Sequence, residues 1–134
     1  MTPRAARRLL RGVLAGLGAV AAGTGTAVAV RGAAAIPGGA PTVASNESVL
    51  RFYAVWWAAQ GPMLWRLAAD PELDRNALRV ACALTMLGGS ARLAAARRTG
   101  WPHPLFVALT GAELVGPPLL LWLRHRMDGD VRQP

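Results

Sequence analysis

Glu113 is the residue in this chain best placed to do chemistry. It is the ninth position of the run Leu105 to Leu123 and the only carboxylate inside any of four apolar stretches. A carboxylate carried by an apolar helix is costly unless it faces a partner or a wet cavity, so it marks a binding site or a fixed pair. Arg92, inside the third stretch, is its natural partner. The break Thr99-Gly100-Trp101-Pro102-His103-Pro104 makes the third and fourth stretches antiparallel neighbours. Folding at Gly100 sets Arg92 opposite residue 108, and Glu113 then lies about 7 Å deeper by the helical rise, within reach of an arginine side chain. Thr110 precedes Glu113 on the same helical face. Three readings stay open: a proton or substrate site, a structural Arg–carboxylate pair locking two helices, or a protonated Glu113 bonded to Thr110 or a carbonyl while Arg92 snorkels away.

Gln60 falls near the middle of the second stretch. Tyr53, Trp56, Trp57 and Gln60 share a broad face at helical spacing, where they could line a small polar pocket with Arg92 and Glu113. Aromatic residues on such a face also serve plain packing. Gly12, Gly16 and Gly23 form a small-residue pattern of the kind that lets membrane helices approach closely.

Other chemistry is scarce. One cysteine, Cys82, excludes an internal disulfide and any multi-cysteine metal site. His103 and His125 would stand about 33 Å apart on a helix, too far to share an ion. No phosphate loop, nucleophile elbow or metal-ligand cluster is present. The residues thus imply no metal and no cofactor, and the chain leans away from being an enzyme. All fifteen basic residues are Arg, against seven acids, for a net charge of +8. A basic chain can signal nucleic acid, but there the arginines line one solvated face; here they flank apolar runs, which speaks against nucleic acid.

The elements that must position these residues are helices. The four stretches run about 12–30, 50–68, 77–96 and 105–123. Each is near the roughly 20 apolar residues that cross a bilayer, provided that terminal arginines snorkel to the headgroups. A soluble bundle would need a polar stripe on each outer helix, and the first, second and fourth stretches have almost none. Residues 31–49, rich in Gly, Pro and Ser, read as a loop. Asp70 to Arg75 is a polar turn in which Asp70 or Asp74 caps the third helix. Pro62 and Pro117-Pro118 should kink or loosen their helices. With the N-terminus inside, ten arginines lie on the inner side and four on the outer, so both termini are expected in the cytoplasm. A rival reading takes Arg4 to Arg11 and the following apolar run, ending Ala27-Val28-Ala29, as a cleaved secretory signal.

Several segments together resemble the bacterial membrane family catalogued as domain of unknown function 4345. They are Ala34 to Gly39, Leu50-Arg51-Phe52-Tyr53, Leu87-Gly88-Gly89-Ser90-Ala91-Arg92-Leu93, Gly100 to Val107, and Glu113-Leu114-Val115-Gly116-Pro117-Pro118. The family usually carries an acid directly before Leu-Arg-Phe; here that position is Val49, and the nearest acid is Glu47. The resemblance implies a four-helix membrane protein and no known chemistry. The expectation is therefore an all-α, integral membrane antiparallel four-helix bundle, a single domain over residues 1–134 in a bacterial plasma membrane. Its partners are the lipid bilayer and a possible membrane protein. Two roles stand: a non-catalytic membrane subunit or partner, or a small carrier or enzyme-like protein that uses Glu113 and Arg92 on a proton or a small polar or lipidic ligand.

Overall fold

A computed structural model describes residues 2–70 and 75–128. Among them the chain is all α. Helix α1 spans Pro3–Arg31, a one-turn 3-10 helix follows at Gly32–Ala35, and α2 (Ala44–Ala69), α3 (Arg75–Thr99) and α4 (Pro104–Asp128) complete the order. Each helix outruns its apolar stretch, α1 the most, because its flank Pro3 to Arg11 is rich in Arg and Ala, both good helix formers. The loop expected over 31–49 is correspondingly shorter. Glu47 donates its N–H to the Val43 carbonyl (3.0 Å) and Asn46 its side-chain amide to the Thr42 hydroxyl (3.2 Å), so α2 is already wound before Leu50. A carboxylate in that first turn also suits the helix dipole. The segment 71–74, with the expected cap Asp74, lies outside the described residues. Both helices that contain proline, α2 at Pro62 and α4 at Pro117-Pro118, continue through it.

Two helical segments are long and apolar enough to cross a membrane, Pro3–Ala35 and Pro104–Met127. α2 and α3 fall short of that measure. The reason is compositional: α3 carries Arg75, Arg79, Arg92, Arg97 and Arg98, and α2 carries Glu47, Arg51 and Arg66 among many Trp, Ala and Gly residues of modest hydropathy.

The chain divides into two compact units, residues 12–69 and residues 1–11 with 70–134. In the first, α1 and α2 run antiparallel, and glycines set how closely they lie. A Cβ on Gly18 would stand 2.6 Å from the Trp65 ring, and one on Gly61 would stand 2.7 Å from the Ala22 methyl and 2.8 Å from the Gly18 carbonyl oxygen. One on Gly25 would run into the Ala58 backbone nitrogen and lie 2.8 Å from the Ala54 carbonyl oxygen. The indole N–H groups tie the same seam: Trp65 donates to the Ala15 carbonyl (3.1 Å), and Trp57 to the Thr24 hydroxyl (2.8 Å). Gly12, Gly16 and Gly23, expected at a helix contact, meet nothing within 4 Å of the same added atom. The close approach in this unit is made instead by Gly18, Gly25 and Gly61. In the second unit α3 and α4 form an antiparallel hairpin in which Gly89 faces Glu113 and Leu114, and Leu78, Cys82 and Ala96 of α3 and Pro117 of α4 are buried.

Alanine substitutions separate the two sets of glycines. Gly25→Ala and Gly61→Ala force overpacking, expected to cost about 1–3 kcal/mol. Gly12→Ala and Gly16→Ala only remove backbone freedom and should gain roughly 0.5–1 kcal/mol. Thermal unfolding of the detergent-solubilised variants measures both, and equal losses at all four positions would contradict the assignment of the seam.

Candidate functional site

Two polar constellations stand out, one in each unit. The first is built where α1 hands over to α2. The last carbonyls of α1 have no intrahelical donors, as at any helix end. Arg51 supplies them: one terminal nitrogen, Nη1, donates to the carbonyls of Ala29 (3.1 Å) and Val30 (2.9 Å). Its Nε and Nη2 both lie 2.9 Å from Glu47 Oε1, a two-pronged pair one helical turn apart. The other carboxylate oxygen of Glu47 accepts the Ala33 N–H at 3.2 Å. Gly32 makes room for this. Its φ is +62°, and a Cβ there would collide with the Glu47 carboxylate. The chain then returns through Ile36-Pro37-Gly38-Gly39. Gly39 N–H donates to the Ile36 carbonyl (2.8 Å) and Gly38 has φ +73°, which is a type II turn with proline and glycine in their preferred places.

The second constellation lies between α3 and α4. Arg92 Nε is 3.1 Å from Glu113 Oε2, and the Arg92 guanidinium stands 5.7 Å from the centre of the Phe106 ring. The side chain of Glu113 is 19% exposed and that of Arg92 46%. Glu113 Oε2 is fully buried, and the approach of Arg92 to it lacks hydrogen-bond alignment, so the contact is an ion pair rather than an aligned, two-pronged bond. Gly89 explains how the carboxylate comes so close. A Cβ there would lie 2.9 Å from Glu113 Cβ and 3.2 Å from the Leu114 side chain.

Of the other residues expected at this site, Thr110 does not serve Glu113. Its hydroxyl donates to the Phe106 carbonyl of its own helix at 2.8 Å. Tyr53 is 64% exposed and packs edge-on against Phe52, with ring centres 5.6 Å apart. Gln60 is half-buried on α2. Both belong to the unit of α1 and α2, whereas Arg92, Glu113 and Thr110 belong to the unit of α3 and α4. No group of three or more His, Cys, Asp or Glu that could hold a metal occurs among the described residues. Sequence reasoning missed Glu47, Arg51 and Gly32 as a unit. The available signal was the i, i+4 acid–base pair at a loop edge.

The family described as a domain of unknown function, DUF4345, matches residues 9–124. The match covers most of the chain, and the chain belongs to that family. No curated protein and no solved structure matches it.

Each constellation generates a measurement. The Ala33 N–H first, and the Arg51 guanidinium second, hold the Glu47 carboxyl below its ordinary value near 4.5. A carboxyl depressed on folding contributes stability above its unfolded pKa and loses it as pH falls through the folded one. Wild type should therefore melt higher than Glu47→Gln at neutral pH, with the gap closing as pH drops below about 4.5. A gap that is the same at every pH would remove the charged clamp.

For the second pair, Arg92→Leu and Glu113→Leu should each destabilise, because each strands a charge costing about 2.5–3.5 kcal/mol in hydrocarbon. The double variant should recover much of that loss. Coupling within about 0.5 kcal/mol of zero, the ordinary limit of additivity, would mean that the two side chains act independently.

Proposed function

We propose that this DUF4345 member is a multi-pass integral protein of a bacterial plasma membrane, a four-helix antiparallel assembly with both termini in the cytoplasm, acting as a non-catalytic subunit or partner of another membrane protein. One observation carries the membrane reading. In α4 only 6% of the most apolar eighteen-residue window is buried. Leu105, Val107, Val115, Leu119, Leu121 and Trp122 all stand exposed. An apolar surface of this extent in water is an aggregation site, whereas hydrocarbon covers it without cost. Val80, Leu84 and Leu87 extend the same argument to α3, although its arginines keep its mean hydropathy low. On this reading Arg79 and Arg97-Arg98 sit at the headgroups, and Arg92 is neutralised by Glu113.

The non-catalytic role rests on how polar groups are used. The hydroxyls of Thr24, Thr85, Ser90, Thr99 and Thr110 each donate to the carbonyl four residues back in their own helix. Such bonds satisfy the hydroxyl's proton within an apolar segment and leave it no proton to donate to a ligand. Glu47 and Arg51 are engaged with backbone and with each other. The carrier reading draws support from the half-exposed Arg92 and the imperfect alignment of its pair. Proteoliposomes carrying wild type or Glu113→Gln discriminate the two: proton flux that is present in wild type and absent in the variant would favour the carrier.

Topology is tested directly. Alkaline phosphatase fused after Pro134 should be inactive and a fluorescent protein there bright, as the distribution of arginines requires. In a Cys82→Ala background, Ala40→Cys should react with a membrane-impermeant thiol reagent from outside and Asn76→Cys should not. Phosphatase activity at Pro134 would reverse the orientation. Recovery of the protein in the aqueous phase without detergent would end the membrane reading.

A further inference from the structure

Between Arg75 and Ala112 the chain has five arginines, one histidine and no acid. Arg97 and Arg98 occupy the last turn of α3, and both are exposed. Among the described residues neither has a side-chain partner, since the carboxylate nearest in sequence, Glu113, is taken by Arg92. Trp101, in the four-residue connector, is 69% exposed. His103 Nδ1 accepts the Leu105 N–H at 3.3 Å, which leaves the ring proton on Nε2 as a donor. The His103 carbonyl accepts the Phe106 N–H at 2.8 Å and so fixes the connector to the first turn of α4. The Gly100 N–H returns to the Ala96 carbonyl at 3.0 Å, which closes α3 and fixes where its two last arginines stand.

The end of the α3–α4 hairpin is thus a hydrogen-bonded basic turn with an exposed indole and, among the described residues, no counter-charge. A position beside the C-terminal carbonyls of α3 explains one cation; it does not explain two, exposed and unpaired. Arginine in a translocated turn also runs against the usual bias of membrane proteins. An anion supplied from outside the chain resolves this. Arg97 and Arg98 carry guanidinium groups whose geometry matches phosphate oxygens. Trp101 is the residue type that settles at headgroup depth, and exposed Leu105 in the first turn of α4 offers an apolar surface beside the turn.

We propose that this turn binds the phosphate of an anionic phospholipid headgroup, with Arg97 and Arg98 supplying the charge, His103 Nε2 a further donor, and Trp101 the interfacial seat. The proposal rests on the membrane reading above and adds a lipid class and a place. The full-length protein, purified in detergent, is titrated with dioleoylphosphatidylglycerol or dioleoylphosphatidylcholine, and bound lipid is counted by native mass spectrometry.

Phosphatidylglycerol should bind more tightly than phosphatidylcholine. Arg97→Gln with Arg98→Gln should weaken it by roughly 25-fold, at about five-fold per arginine near an anionic surface, without changing the binding of phosphatidylcholine. Arg97→Lys with Arg98→Lys should keep most of the preference. If the double glutamine variant loses helicity by circular dichroism, each single variant should still show about a five-fold loss.

Equal binding of the two lipids overturns the proposal, as does a preference that survives the glutamine changes but vanishes in Arg4→Gln with Arg8→Gln. Inorganic phosphate binding as tightly as the lipid at Arg97 and Arg98 would make this a free-anion site and overturn the headgroup assignment. A failed membrane reading is seen separately, as protein that needs no detergent.

Discussion

The polar groups of these helices are met largely from within the chain, and that pairing organises both units. At the α1–α2 corner the open carbonyls of α1 are met by Arg51, the charge of Arg51 by Glu47, and the second oxygen of Glu47 by the Ala33 N–H. Each group in the chain of bonds closes the need left by the previous one. Along α3 and α4 the hydroxyls fold back onto their own carbonyls and Glu113 finds Arg92. The corner clamp also fixes register. By tying the end of α1 to the first turns of α2, it sets Gly25 opposite Ala54 and Ala58, and Gly18 opposite Gly61 and Trp65, so that positions without a Cβ meet where the backbones come closest.

How much of this was legible in the sequence depended on how rare the signal was. One carboxylate in a long apolar run is conspicuous, and a Gly-Trp-Pro break fixes the hairpin that brings Arg92 to it. The helices themselves followed from four apolar runs. The helix seam of α1 was harder. The chain offers many small residues, and Gly12, Gly16 and Gly23 fit a familiar spacing, yet Gly18 and Gly25 sit on the buried side. The pattern alone does not say which of two small-residue stripes faces the neighbour, because both satisfy the same steric rule. Heptad spacing between Gly18 and Gly25, with Ala21 fully buried between them, was the distinguishing mark. The Glu47–Arg51 clamp was hidden for another reason. Glycine and proline made the segment before it read as loop, so a helical i, i+4 relation was not sought there. Two apolar segments rather than four are long and apolar enough to cross a membrane, because α3 carries several arginines and α2 mixes Arg, Gln, Pro and Trp residues into its run.

The residues that carry the family resemblance gain meaning from where they fall. Ala34 to Gly39 ends the 3-10 helix and forms the type II turn at Ile36 to Gly39, and Arg51 of Leu-Arg-Phe-Tyr is the clamp. Gly89 is the position whose missing Cβ admits Glu113, and Arg92 is its partner. Gly100 and His103 close and reopen the hairpin. These positions are spread over corners and seams of two units rather than gathered at one point, and each has a steric or hydrogen-bonding reason to be what it is. A sequence signature of that kind specifies an architecture, and sharing it calls for no shared reaction.

Position 49 shows the same separation of roles. The family resemblance implies an acid there, directly before Leu-Arg-Phe and two residues from the arginine, and side chains so spaced do not face each other on a helix. This chain has Val49 there, 55% exposed, and makes the contact from Glu47, four residues before Arg51. An acid at 49 would point away from the clamp, toward whatever covers that side of α2. Valine at 49 therefore leaves the corner intact, since Glu47 already serves Arg51. The corner is set by the open carbonyls of α1, which Arg51 must meet, and the exposed side of α2 only by what lies against it.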